Sequence, residues 1–217
     1  MGAPPPPTTN GHIATTSSSH ETTNGSHSPT SARDLDCLII GAGFGGIYAL
    51  HTLRKLGLNV HLFEAGQNLG GVWHWNRYPG ARVDSEIPYY QYSIPEVWKT
   101  WNWSQRFPGH EELRKYFAHV DKVLQLSKDI SYGADVVQAE FDEDTAKWSV
   151  KTQDGRSATC TYLIAATGSS YKRHYPDFAN WKSYKGEIYH SAFWPEEGVD
   201  TTGKRVAIIG AGATGVQ

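Results

Sequence analysis

The alternation of apolar and polar positions predicts a compact set of elements once the first thirty-odd residues are passed. Residues 35–40 (LDCLII) form a short, nearly continuous apolar run, the pattern of a parallel strand buried on both faces. Ile47, Leu50, Leu53 and Leu56 then recur at helical spacing up to Gly57, and Val60–Phe63 reads as a second strand closed by Glu64. Farther on, Leu113, Phe117, Val120 and Leu124 mark one face of a helix in GHEELRKYFAHVDKVLQLS, a stripe that core packing explains fully. Between residues 130 and 160 the period shortens. Segments such as DVVQAEFD, KWSVKT and SATCTY surround acidic or Asp-Gly turns and predict an antiparallel meander. Residues 162–170 (YLIAATGSS) read as a separate strand returning to the parallel sheet, and residues 206–209 as a further apolar strand. Residues 1 to 33 are Pro, Thr, Ser, Asn, Gly and His with almost nothing to bury, so a disordered leader is expected there.

Composition narrows the function classes. A chain of 217 residues with 39% hydrophobic residues is long enough for one good core, or for one domain and the start of another. Its net charge is -2 and neither sign forms a long run, which argues against nucleic acid as a partner and leaves small molecules. Cys37 and Cys160 lie far apart, in or beside apolar runs and without metal-ligand spacing, so both are read as reduced core thiols and no metal site is expected. The N-terminal residues lack a basic region followed by an apolar stretch, and Pro6 stands where a myristoylation signal needs Ser or Thr. No apolar run reaches the ~18 residues of a membrane span. A cytoplasmic protein is the default expectation, and the sequons at Asn24 and Asn102 are then chance matches.

The chemistry begins at the glycines. Gly41, Gly43 and Gly46 follow the first strand directly and open the helix. In such a turn the first glycine permits the bend, the second lets the backbone approach a pyrophosphate, and the third lets helix pack on strand. Glu64 falls about eighteen residues beyond Gly46, where a carboxylate accepts hydrogen bonds from a ribose. The pattern then repeats: residues 204–217 (KRVAIIGAGATGVQ) run into Gly210, Gly212, Thr214 and Gly215. Two such turns point to two dinucleotides, most economically a flavin that takes a hydride and a nicotinamide that gives it. The second unit stops on what should be the first turn of its helix, so the chain is expected to be truncated early in that domain.

At this point a resemblance becomes specific. The first glycine turn with Glu64, the AATG of residues 165–168 and the second glycine turn are together similar to the two-dinucleotide-binding (Rossmann-type) α/β flavoprotein fold with an antiparallel β-meander. Residues 184–195 (YKGEIYHSAFWP) resemble the Baeyer-Villiger monooxygenase fingerprint F-x-G-x-x-x-H-x-x-x-W-P. Gly186, His190, Trp194 and Pro195 fall on it, and Tyr184 replaces the Phe with a ring that adds a hydroxyl. Residues 70–84 (GGVWHWNRYPGARVD) fit that family's second pattern through Gly70, Gly71, Trp73, Tyr78, Pro79, Gly80 and Asp84. The resemblance spans residues 36–217 and implies FAD and NADPH as cofactors, O2 and a small-molecule ketone as substrates, and an ester or lactone as product, in secondary metabolism such as terpenoid or meroterpenoid biosynthesis.

The resemblance also distributes roles. Gly71, Val72, Trp73, His74 and Trp75 would lie along the isoalloxazine and ribityl chain, and Asp84, Ser85 and Tyr90 near the reactive ring. Arg82, Val83 and Asp84 would face the nicotinamide cofactor, and Val136 joins the cofactor-binding set. Asp84 is the catalytic candidate: the family stabilises an anionic oxygen nucleophile with an arginine held by such an aspartate, and that arginine lies beyond Gln217. His190 is read as a linker hydrogen-bonding group, not a general base, in the segment joining residues 34–180 (flavin domain) to 204–217 (start of the nicotinamide domain). A disulfide reductase shares the paired turns but needs two closely spaced cysteines near the flavin, which are absent. A nitrogen- or sulfur-oxygenating flavin monooxygenase shares the scaffold; Trp194-Pro195 with the Asp84 pattern tilt the choice away from it, and it stands as the enzymatic runner-up. An inactive fragment or relic of the ketone-oxidising enzyme is the non-enzymatic alternative.

Overall fold

A computed structural model of the chain describes residues 33–170 and 172–217, so the predicted leader lies almost wholly outside the described residues. β1 (Arg33–Ile40) runs at the centre of a six-stranded sheet of order β3-β2-β1-β6-β5-β4, with β2 at Val60–Phe63, β3 at Ile130–Ser131, β4 at Val136–Asp142, β5 at Lys147–Thr152 and β6 at Ser157–Ala165. β3, β2, β1 and β6 pair in parallel, while β5 pairs antiparallel with both β6 and β4. The burial follows the composition: Leu35, Cys37, Leu38 and Ile39 of β1 and all four residues of β2 are buried.

β6 departs from the sequence reading. The meander segment SATCTY and the returning strand at Tyr162 are one continuous strand. Its first residues pair with β5, Cys160 opposite Trp148, while the strand pairs along its length with β1, from Arg33 opposite Ala158 to Ile40 opposite Ala165. A strand has two edges, so one segment closes the meander and completes the parallel sheet.

Helices cover one face. α1 (Phe44–Lys55) buries Gly46, Ile47 and Leu50 against the sheet. Leu56 was expected to extend this stripe, but it is the C-cap and 70% exposed, because the chain reverses at Gly57. Two short helices follow, α2 (Val72–Trp75) and α3 (Pro95–Trp98). α4 (His110–Leu124) buries Leu113, Tyr116, Phe117 and Val120. Each such side chain contributes about 1.5–3 kcal/mol by leaving water. Tyr116 was missed in the stripe because its hydroxyl reads as polar, yet the ring packs on Trp101 and Trp103 and the hydroxyl accepts the Tyr92 N–H at 2.8 Å. Burial pushes its pKa up to about 12. α4 ends where Gln125 turns left-handed, and Asp121 takes the freed Leu126 and Ser127 N–H groups.

A smaller core of Leu35, Leu38, Phe63, Ala134, Val150, Ala158 and Cys160 is distinct from the helix-side core, which holds Cys37. Both thiols are free and buried, as expected of core cysteines, and burial raises the pKa of each. A final single-turn helix, α5 (Ala213–Val216), follows the second glycine turn. The strand expected at residues 206–209 does not form: Val206, Ile208 and Ile209 are exposed and, among the described residues, no strand pairs with them. An extended apolar run becomes a strand only when a neighbour supplies its ladder.

Candidate dinucleotide sites

The first glycine turn is built at the end of β1. Gly41 donates its N–H to Phe63 O at 2.8 Å, which holds the turn against β2. A Cβ at Gly46 would lie 1.8 Å from Gly41 O, so helix and turn meet only because the side chain is absent. Gly43 is the N-cap of α1, with no side-chain cap and no acidic residue in the first turn. The positive end of a helix of 12 residues is therefore left to an anionic ligand, which fits a pyrophosphate.

Glu64 lies 5% exposed at the end of β2. Its Oε2 accepts the Ala42 N–H at 2.6 Å and its Oε1 accepts the Gly66 N–H at 2.7 Å. The carboxylate thus ties the glycine turn to the loop after β2, and each oxygen keeps a further lone pair with which to accept a ribose hydroxyl. Ala134 N–H donates to Glu64 O at 2.8 Å, which brings the start of β4, with half-buried Val136, beside this corner.

The aromatic stretch packs directly on the turn. Gly70 N–H donates to Ala42 O at 2.8 Å, and Gly71, at φ 57°, approaches so closely that a Cβ there would lie 2.9 Å from Gly43 Cα. Trp73 is buried and its Nε1–H donates to Tyr90 Oη at 2.9 Å. Tyr90 also meets Phe44 edge-on at 5.0 Å, so this indole-phenol pair is fixed to the first turn of α1. Burial raises the Tyr90 pKa, and the charge of Asp84 acts in the same direction against the Trp73 hydrogen bond. His74 is buried, and burial together with Arg77 lowers its pKa. Val72 and Trp75 are exposed, with the Arg173 guanidinium 5.8 Å from the Trp75 ring. Asp84 and Ser85 lie exposed in the loop that follows buried Val83.

The second turn repeats the first. Gly210 has φ +124° and Gly41 +101°, Gly212 and Gly43 are both extended N-caps, and a Cβ at Gly215 would lie 2.5 Å from Gly210 O. Thr214 and Gln217 from this turn reach Tyr78 and Arg82, so the structure brings the second turn against the aromatic stretch. Those contacts were not predicted. His190 uses both ring nitrogens on backbone, one on each side of the start of the linker: Nδ1 accepts the Ala192 N–H at 3.1 Å and Nε2 lies 3.3 Å from His174 O. Among the described residues there is no cluster of His, Cys, Asp and Glu fit for a metal ion, and no helix is long and apolar enough to cross a membrane.

Residues 35–217 match the family model described as pyridine nucleotide-disulphide oxidoreductase. The chain belongs to this family. Among curated proteins it is 57% identical, over 84% of its length, to the FAD-binding monooxygenase acrE of Aspergillus aculeatus, of which it covers 31%. It is 50% identical, again over 84% of the chain, to the cyclopentanone 1,2-monooxygenase of a Comamonas species, covering 33% of that protein. Among solved structures, an oxidised steroid monooxygenase bound to NADP superposes with a TM-score of 0.79 at 42% identity, over 85% of this chain and 36% of that one. The chain spans about a third of the length of the curated relatives it matches. Despite the family's name, Cys37 and Cys160 sit in separate cores and offer no dithiol.

Proposed function

We propose that the chain supplies the flavin-side portion of a Baeyer-Villiger monooxygenase that uses FAD, NADPH and O2 to convert a ketone to an ester or lactone. The observation that carries this reading is the placement of residues 70–84: one segment with the family's aromatic, Pro-Gly and Asp84 pattern lies against both glycine turns. The ketone-converting relative named above supports it, as does the resemblance of residues 184–195 to the family fingerprint. On this reading residues 34–180 belong to the flavin domain, 181–203 to the linker and 204–217 to the start of the nicotinamide domain, in a cytoplasmic protein.

FAD, when bound, would supply hydride acceptance and oxygen activation. Gly41, Gly43 and Gly46 with the start of α1 would hold its pyrophosphate and Glu64 its ribose, while Val136 would line the adenosine end. Gly71 to Trp75 would border the isoalloxazine, where Trp73 and Tyr90 exclude water. Gly210, Gly212, Thr214 and Gly215 would receive the NADPH pyrophosphate, with Arg82 and Val83 facing its nicotinamide. Asp84, with Ser85 beside it, would orient a cation toward the developing oxyanion.

The test is turnover of full-length, FAD-loaded protein with NADPH and cyclic ketones under labelled oxygen. One labelled atom in an ester or lactone supports the reading. Label found only in a sulfoxide or N-oxide overturns it in favour of heteroatom oxygenation.

A further inference from the structure

Residues 70–84 hold both glycine turns at once. At one end lie the Gly70 hydrogen bond to Ala42 and the contact of Gly71 with Gly43. At the other, the Tyr78 hydroxyl donates to Gln217 Oε1 at 2.8 Å and lies 3.3 Å from Thr214 Oγ1. The Gln217 amide in turn straddles the Arg82 backbone, its Nε2 donating to Arg82 O at 2.9 Å and its Oε1 accepting the Arg82 N–H at 3.3 Å. Gly80, at φ +81°, completes the fit: a Cβ there would lie 2.3 Å from Gln217 O. The turn itself is fixed to the start of α4, because His110 N–H donates to Ala81 O at 2.8 Å and Val83 N–H to Pro108 O at 3.1 Å.

We propose that Tyr78, Gly80 and Gln217 form an interlock that sets the spacing between the two dinucleotide turns, making Tyr78 and Gln217 positioning residues. The chemistry of the contact supports a fixed register. A primary amide that uses both its oxygen and its nitrogen on one residue's backbone has a single orientation, and the nearly buried Tyr78 hydroxyl closes the same oxygen. These hydrogen bonds tie the second glycine turn to residues 78–82 of the sheet domain. The consequence for catalysis rests on the function proposed above: two cofactors exchanging a hydride tolerate little error in separation, and a displacement of ~1 Å slows such steps by about 100-fold.

The experiment uses the full-length, FAD-loaded protein with Tyr78→Phe, Gln217→Ala and the double variant. Hydrogen-deuterium exchange of residues 204–217 should quicken about five-fold in Tyr78→Phe, the effect of one hydrogen bond, and more in Gln217→Ala. The double variant should exchange no faster than Gln217→Ala, since both changes break one contact. Flavin content should stay at the unmodified level while flavin reduction by NADPH slows and the KM for NADPH rises. Unchanged exchange, or strictly additive effects, would overturn the interlock. Faster exchange with unaltered flavin reduction in the variants would overturn the positioning role. An unmodified protein whose flavin NADPH does not reduce refutes the proposed function instead, and the exchange data still decide the interlock.

Discussion

Glu64→Gln separates the structural work of this residue from its shape. The carboxylate accepts two backbone N–H groups, Ala42 at 2.6 Å and Gly66 at 2.7 Å, in a site 5% exposed. A glutamine of the same size has one accepting oxygen, so its NH2 must oppose one of those N–H donors. The loss comprises one charge-assisted bond, about 1.5–3 kcal/mol, and the penalty of a buried unpaired donor, about 1–3 kcal/mol, partly overlapping. We expect a net destabilisation of about 3 kcal/mol, which for a chain of this size lowers Tm by roughly 6–12 °C. Thermal unfolding followed by circular dichroism measures it, with Glu96→Gln as the control. Glu96 is exposed and meets Lys55 only at 4.0 Å, so its replacement should stay within about 0.5 kcal/mol. FAD affinity should fall in parallel, because the same bonds shape the glycine turn. A Tm shift for Glu64→Gln as small as the control's would refute the reasoning, since the two amides would then have found other partners.

Further outcomes follow from the same geometry. Gly43→Val should fold, because a Cβ there meets only Gly71 Cα at 3.7 Å, yet lose FAD; Gly46→Ala, with its Cβ 1.8 Å from Gly41 O, should not reach the native fold, and soluble yield with flavin absorbance distinguishes the two. On the proposed function, Asp84→Ala in the full-length protein should retain flavin and lose at least about 100-fold in product formation, and near-normal rates would remove Asp84 from the proposed site. Burial, with the Arg33 charge, lowers the His61 pKa to about 4 from the usual 6.5. The unfolded chain therefore binds the extra proton between those values, so stability should rise with pH from about 4 to 6.5 and level off above. His61→Gln should flatten that slope in urea titrations at pH 4.5 and 7, and an unchanged slope would assign it elsewhere.

How much of this was legible in the sequence depends on how local each feature is. β2 was read to the residue because an apolar run bounded by Gly57 and Glu64 is complete in itself. β6 was split in two because its patterning changes near Tyr162, which is exposed, while its pairing with β1 continues past that point. The contrast between residues 35–40 and 206–209 makes the same point from the other side. Both are apolar runs ahead of an almost identical glycine turn, but β1 has β2 and β6 for neighbours and residues 206–209 have none among the described residues. Strand formation is a property of the pair, so identical local patterns part company.

The candidate sites divide in the same way. The glycine turns are local devices, dictated by φ and by close approach, and their sequence spacing announces them. Glu64 was found by its distance from Gly46, but its two donors are backbone amides at Ala42 and Gly66, which leave no side-chain signature to read. Tyr78 and Gln217 are harder still, for they are separated by 139 positions and each has an innocent reading, a turn aromatic and a helical amide. Yet their geometry accounts for the shape of the stretch around them. Gly70 and Gly71 must reach the first turn while Tyr78 to Arg82 reach the second, so the number of residues between them is fixed by the separation of two sites and not by the conformation of any one element. The single turn of α2 spans part of that interval, and buried Trp73, tied to Tyr90, keeps it from sliding. Aromatic residues and a tight turn crowd together there because one short segment has to meet two glycine turns at once.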